Sequence, residues 1–370
     1  MKVHSILRIS LTLSALSLVG LATSLPASAA KLYSVTDLGT LGGNFSQANG
    51  INNLGQIVGT SSTDTGNLRA FRTAPNSLIN PTTDDLGFLK GKGWSEGTGI
   101  NNLGQVTGRS SVDNDPRQQQ GEAFRTASNS PINPATDGLA SFGGRGGSQG
   151  YSINNLGQVA ATVAIGEGLP NAFRTAPNSP LNPVDNLGSL GGGGSNSAYG
   201  INNLGQVVGS SSVGIGLFHA FRTAPNSPIN PSTDDLDTLG GAWSIAYAIN
   251  NKGQVVGLAN TANGETHAFR TAPNSPIEPS TDDLGTLGGV FSIAKAINNK
   301  GQVVGSANTD SGKPHAFVYY KHQMVDLNNL IASDSNFVLT SANGINNKGQ
   351  IVGSGSINGE THAFLLTPER

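Results

Sequence analysis

The stretch Gly200-Ile201-Asn202-Asn203-Leu204-Gly205-Gln206-Val207-Val208-Gly209 decides the fold, because its core, I-N-N-x-G-Q, recurs along the chain. It begins at Ile51, Ile100, Ile153, Ile201, Ile249, Ile297 and Ile345, at intervals of 49, 53, 48, 48, 48 and 48 residues. That period lies in the range of propeller blades and above that of leucine-rich or ankyrin units. Residues one, three and five places before the isoleucine are small, as in Ser46, Ala48 and Gly50 or Ser244, Ala246 and Ala248. A period of two predicts a strand, and a face of small side chains predicts close approach by another sheet. The N-N-[LK]-G that follows suits a hairpin whose glycine takes positive φ. Gln206 to Ser210, rich in β-branched residues, predicts a second strand.

Working outward, a third strand is built on Ala-Phe at Phe71, Phe124, Phe173, Phe221, Phe269, Phe317 and Phe364. These are seven of the thirteen phenylalanines, so with the seven isoleucines they form the predicted core of the repeat. A connector of the type T-A-P-N-S-P-I-N-P leads to T-D-D-L-G, read as a fourth strand carrying Leu86, Leu236 or Leu284. The ends decide the closure. The chain starts with a surplus fourth strand, Tyr33 to Leu38, and stops after the seventh third strand at Leu366. In a ring the first strand completes the last blade and leaves no open sheet edge. The expectation is an all-β, seven-bladed β-propeller of four-stranded blades, closed by an N-terminal strand. The alternative is an open β-solenoid.

Lys2 and Arg8 precede an apolar stretch from Ile9 to Leu25, and Pro26-Ala27-Ser28-Ala29-Ala30 ends it with small residues. This reads as a secretory signal peptide over residues 1–30, with a single propeller over 31–370. Cleavage leaves 19 basic against 23 acidic residues, no cysteine for a lipid anchor or a disulfide, and no further apolar run of membrane-spanning length. The expected product is a monomer, secreted or periplasmic, without a transmembrane anchor. With no run of Lys or Arg to neutralise phosphates, nucleic acid is not an expected partner.

The motifs L-G-T-L-G-G (Leu38 to Gly43, Leu284 to Gly289), G-I-N-N-x-G-Q-V-V-G and H-A-F (His219, His267, His315, His362) recur in fixed order. The chain resembles the HAF-repeat family of predicted extracellular bacterial proteins over residues 31 to 370. The resemblance implies an exported propeller-like repeat protein and no established reaction or ligand. Repeats one to three depart from it, with Arg69, Glu122 and Asn171 in place of the histidine, and Ala160-Ala161 replaces Val-Gly in repeat three.

The spacing also shows where the repeats differ. The loop between the second and third strands of repeat two has four extra residues, and the connector Asn328 to Leu339 is extended. Strand alternation puts both on the face opposite the N-N-x-G turns, where varied loops on a rigid scaffold usually recognise partners. Asp64, Asp113, Asp115, Arg117, Gln118, Gln119, Gln120, Glu122, Glu265, Asp310 and Glu360, in or beside such loops, form the candidate binding face. Asp113-Asn114-Asp115 and Asn308-Thr309-Asp310 offer oxygen ligands for calcium, but neither completes a calcium loop, and no cofactor is expected. The H-A-F histidines sit too far apart in a propeller to share one metal and are read as hydrogen-bonding within their own repeat. Gly146-Gly147-Ser148-Gln149-Gly150 matches G-x-S-x-G but precedes a hairpin rather than a helix.

With no unique catalytic constellation, the sequence favours a non-catalytic binding or structural module for a glycan or protein surface over an enzyme. The alternative is a secreted polysaccharide hydrolase or lyase using loop carboxylates near the axis.

Overall fold

The computed structural model describes residues 32–90, 93–111, 121–140, 142–166 and 169–369; the signal peptide expected at 1–30 lies outside them. The described chain is all-β, with 3-10 turns only at Pro183–Asp185 and Leu327–Leu330. Each repeat folds into three antiparallel strands, as in Asn196–Ile201, Val207–Gly214 and Leu217–Arg222. The turn glycine between the first two has φ of 76° at Gly205, a region in which a Cβ is strained. Gly209 is fixed by contact instead. A Cβ there would collide with the Ser197 carbonyl and the Phe221 ring that lies across the sheet.

The fourth strand is reduced. In repeats one to five, T-D-D-L-G and its equivalents meet the third strand in a single bridge, such as Phe221 to Asp235. This corrects the expectation of regular four-stranded units. The reason is local: the first aspartate turns back on its own segment, with Asp234 accepting from the Asn230 N–H and the Thr233 hydroxyl. Such side-chain bonds compete with a ladder. Where the connector is short, at Lys321-His322, Gln323–Asp326 pairs with Pro314–Tyr320 over four residues. The surplus strand Tyr33–Asp37 pairs antiparallel with Glu360–Pro368, joining the two ends of the described chain.

The seven Ala-Phe phenylalanines are fully buried. Their clusters join consecutive repeats. Val208, Ala220 and Leu236 of one pack with Ala246, Val255 and Phe269 of the next. Val352 and Ala363 of the last repeat, with Leu38 after the surplus strand, likewise pack with Ile57 and Phe71 of the first. The extended connector is packed rather than free, since Leu327, Leu330, Ile331, Phe337 and Leu339 are buried together with Tyr33. It anchors the N-terminal segment through the Leu32 N–H to the Leu330 carbonyl, 3.1 Å. No described helix is long and apolar enough to cross a membrane.

Candidate functional site

The two asparagines of I-N-N do more than turn the chain. Asn202 is buried, accepts from the N–H groups of Leu204 and Gln206, and donates to Gln206 Oε1 and to the Asn250 carbonyl of the next repeat, 3.0 Å. The same bond to the next repeat is made by Asn52, Asn101, Asn154, Asn250, Asn298 and Asn346. Asn346 donates back to Asn52, so the seven bonds run in a circle. A parallel circle runs from each second asparagine's N–H to the next repeat's side-chain oxygen, ending with Asn347 to Asn53 at 2.9 Å. These residues and the seven isoleucines line a central cavity of about 170 Å³.

Beyond the isoleucines the cavity continues, and there the repeats cease to match. The residue two places before each isoleucine is skipped by the register of its strand pair, as Asn49 is between Ala48 and Gly50 and Tyr247 between Ala246 and Ala248. A bulge of this kind re-aims a side chain. All seven such residues, Asn49, Thr98, Tyr151, Tyr199, Tyr247, Lys295 and Asn343, line a cavity of about 380 Å³ on the side of the isoleucines away from the N-N-x-G turns. The residue that follows must be small because the next repeat is close. A Cβ on Gly200 would stand 2.8 Å from the Tyr247 carbonyl oxygen.

This ring has two arcs. Asn49, Thr98 and Asn343 hydrogen-bond the next repeat, to the carbonyls of Gly97, Gly150 and Ala48. The tyrosines cannot make that short bond and pack on one another instead. Tyr151 meets Tyr199 edge-on with centroids 4.9 Å apart, and Tyr199 meets Tyr247 at 5.4 Å. Burial, with Tyr199 alongside, pushes the hydroxyls of Tyr151 and Tyr247 up to about 12, so both remain neutral donors near pH 7. Lys295 donates to Ser341 Oγ at 2.9 Å and Asn343 Oδ1 at 3.0 Å. Burial pushes its pKa down. No aspartate or glutamate lines this cavity among the described residues.

The acids singled out from the sequence lie elsewhere. Asp64 and Asp310 are exposed in turns. Glu122 accepts from the Ala140 N–H at 2.8 Å. Glu265 and Glu360 sit 3.4 Å from Nε2 of His267 and His362, each two residues before its histidine. Asp113, Asp115, Arg117 and Gln118 to Gln120 lie outside the described residues. The isoleucines split between two roles, since Ile153, Ile201, Ile249 and Ile345 are buried, Ile51, Ile100 and Ile297 are half-buried, and all seven face the central cavity. The H-A-F histidines pair through Nδ1 with Asp235, Asp283, Asp326 and Asp37. The first three partners belong to the histidine's own repeat, and Asp37 comes from the surplus N-terminal strand. Among the described residues no three His, Asp or Glu side chains gather as a metal site. Ser148 is structural: its hydroxyl accepts from the Ala123 N–H and donates to the Ala140 carbonyl. The alternation that flagged the small residues of the first strand also held the missed signal, in the residues between them.

The family described as "Protein of unknown function (DUF3466)" matches residues 231–365. No curated protein matches the sequence. Among solved structures, a prolyl endopeptidase is similar at a TM-score of 0.54 and 9% identity, over 92% of this chain and 51% of its own. A puromycin-hydrolysing peptidase of Mycobacterium tuberculosis follows at 0.48 and 12%, over 89% and 50%. A fungal lectin of six-bladed β-propeller fold, from Aleuria aurantia, stands at 0.35 and 10%, over 92% and 96%. Only the first is similar enough to speak for the fold, and it speaks for the fold alone. The chain spans about half the length of the two peptidases.

Proposed function

We propose that residues 31–370 form a closed seven-bladed β-propeller, exported behind a signal peptide at 1–30, that acts as a non-catalytic binding module for a glycan or a protein surface. The two asparagine circles, the pairing of Tyr33–Asp37 with Glu360–Pro368 and the core shared by the last and first repeats support closure. The observation that carries the binding reading is the ring from Asn49 to Asn343. Seven equivalent positions lining one cavity hold four residue types, including three packed tyrosines and one lysine. Repetition serves the scaffold; departure from it at the axis serves something that is not repeated. A polysaccharide hydrolase would need two carboxylates flanking the bond, about 5 to 9.5 Å apart, and the described cavity lining supplies none.

The test is a glycan-array screen of the purified protein with reducing-sugar release measured in parallel. The expected result is retention of one glycan class, lost in Tyr199→Ala, without release of reducing ends. Sugar release by the wild-type chain would overturn the non-catalytic reading.

A further inference from the structure

We infer that the axial cavity takes a monoanionic sugar, its acidic group on Lys295 and its ring against the tyrosines beside it. The inference rests on that cavity being the binding site. Among the described residues Lys295 is the one charged side chain lining it, and both hydrogen-bond partners of its ammonium are neutral, Ser341 and Asn343. An ammonium carries three N–H donors, so one is left for a ligand. A half-buried cation without a counter-ion loses part of its hydration uncompensated, and a ligand anion relieves that cost. A single lysine suits one negative charge. A phosphate dianion or a nucleotide would call for the arginine forks or helix N-termini that such groups use, and the lining has neither among the described residues.

The rest of the lining suits a sugar. The tyrosine rings offer apolar faces to C–H groups, and none of the three hydroxyls bonds to another described residue, so each remains available to a sugar hydroxyl. The volume of about 380 Å³ holds the equivalent of about a dozen waters at roughly 30 Å³ each, the scale of a small saccharide or a chain end rather than a polymer lying across it. A carboxylate and a sulfate ester present the same single charge, so both sources enter the test.

Calorimetric titration of the purified protein with methyl galacturonoside, methyl glucuronoside, galactose 6-sulfate and methyl galactoside decides the matter. The expected result is that at least one acidic sugar binds tenfold or more tightly than methyl galactoside, loses affinity as salt is raised, and loses its advantage in Lys295→Met. Carboxylate sugars alone, or the sulfate alone, identify the source. If Lys295→Met does not fold, the salt dependence of the wild-type protein decides. Equal affinity for neutral and acidic sugars overturns the inference while leaving the cavity as the binding site. No binding of any of the four also overturns it, and the cavity itself is lost only if array binding survives Tyr199→Ala.

Discussion

Two rings of seven equivalent residues, on opposite sides of the seven isoleucines, follow opposite rules. The first asparagine of I-N-N is the same in every repeat, buried, and bonded to the next repeat in a circle. Two residues upstream of the isoleucines, Asn49, Thr98, Tyr151, Tyr199, Tyr247, Lys295 and Asn343 occupy equivalent bulges with unlike side chains. A set of equivalent groups can satisfy its hydrogen bonds internally, each repeat donating to the next. Unlike groups cannot, and they leave an uneven surface of charge and aromatic faces for a partner that is itself uneven. On the reading proposed above, position in the scaffold, rather than chemical type alone, separates holding from binding.

The largest effect should come from the seam on which the repeated ring depends. Deleting Tyr33 to Asp37 removes a five-residue ladder with Glu360–Pro368 and the buried Tyr33 ring, and leaves an open strand edge. The deletion should aggregate or melt many degrees lower in a thermal scan. An unchanged melting temperature with monomeric elution would mean that the circle of bonds does not need this strand.

Next in size, Asn202→Ala removes four side-chain hydrogen bonds and strands buried partners on two repeats. At about 1 to 3 kcal/mol for each buried group left unsatisfied, a loss of about 3 kcal/mol or more is expected in urea unfolding. Tyr199→Ala sharpens the contrast. It forfeits ring contacts with Tyr151 and Tyr247 and part of the aromatic burial, about 1 to 2 kcal/mol, yet should abolish ligand retention. If Asn202→Ala costs no more stability than Tyr199→Ala, the division between holding and binding rings fails.

Much of this architecture is legible in the sequence, because it is written seven times. The small residues at alternate places, the Ala-Phe core and the turn glycine each follow from one side chain's size or backbone freedom. What was not legible depends on neighbours. I-N-N reads as a turn from within one repeat, and only the next repeat shows that Asn202 is a bridge to Asn250. T-D-D-L-G alternates well enough for a strand, but Asp234 spends its oxygens on its own segment. The connector from Asn328 to Leu339 looked like a varied loop by length. Its apolar residues Leu330, Ile331, Phe337 and Leu339 mark it as core. The ring from Asn49 to Asn343 escaped because sorting positions by constancy discards the positions that vary.

Variation alone is not the mark of a site, and the outer strand provides the control. At the H-A-F position repeats one to three carry Arg69, Glu122 and Asn171, and repeat four carries His219, which lies 3.0 Å from both oxygens of Asp235. The hydrogen bond to Asp235 raises the His219 pKa, aided by the charges of Asp235 and Asp237 and opposed by burial. Burial acts to raise the Asp235 carboxyl, but the hydrogen bonds from His219 and the Asp237 N–H outweigh it, so its pKa is lowered. The raised histidine stabilises the fold fully below its unfolded value of about 6.5, and that contribution is lost as pH rises through the folded pKa. The lowered aspartate contributes above about 3.9, and its share is lost as pH falls through its depressed folded value. Between these limits the pair is at full strength. Because the Asp235 carboxylate is more than one-third exposed, solvent screening keeps the effect below about 1 kcal/mol. His219→Gln should therefore be slightly less stable than the wild type in urea melts at pH 5.5, approach it at pH 8.5, and bind ligand unchanged. A loss of binding without any pH-dependent difference in stability would move His219 from the scaffold to the site, and would undo the rule that only variation at the axis recognises a partner.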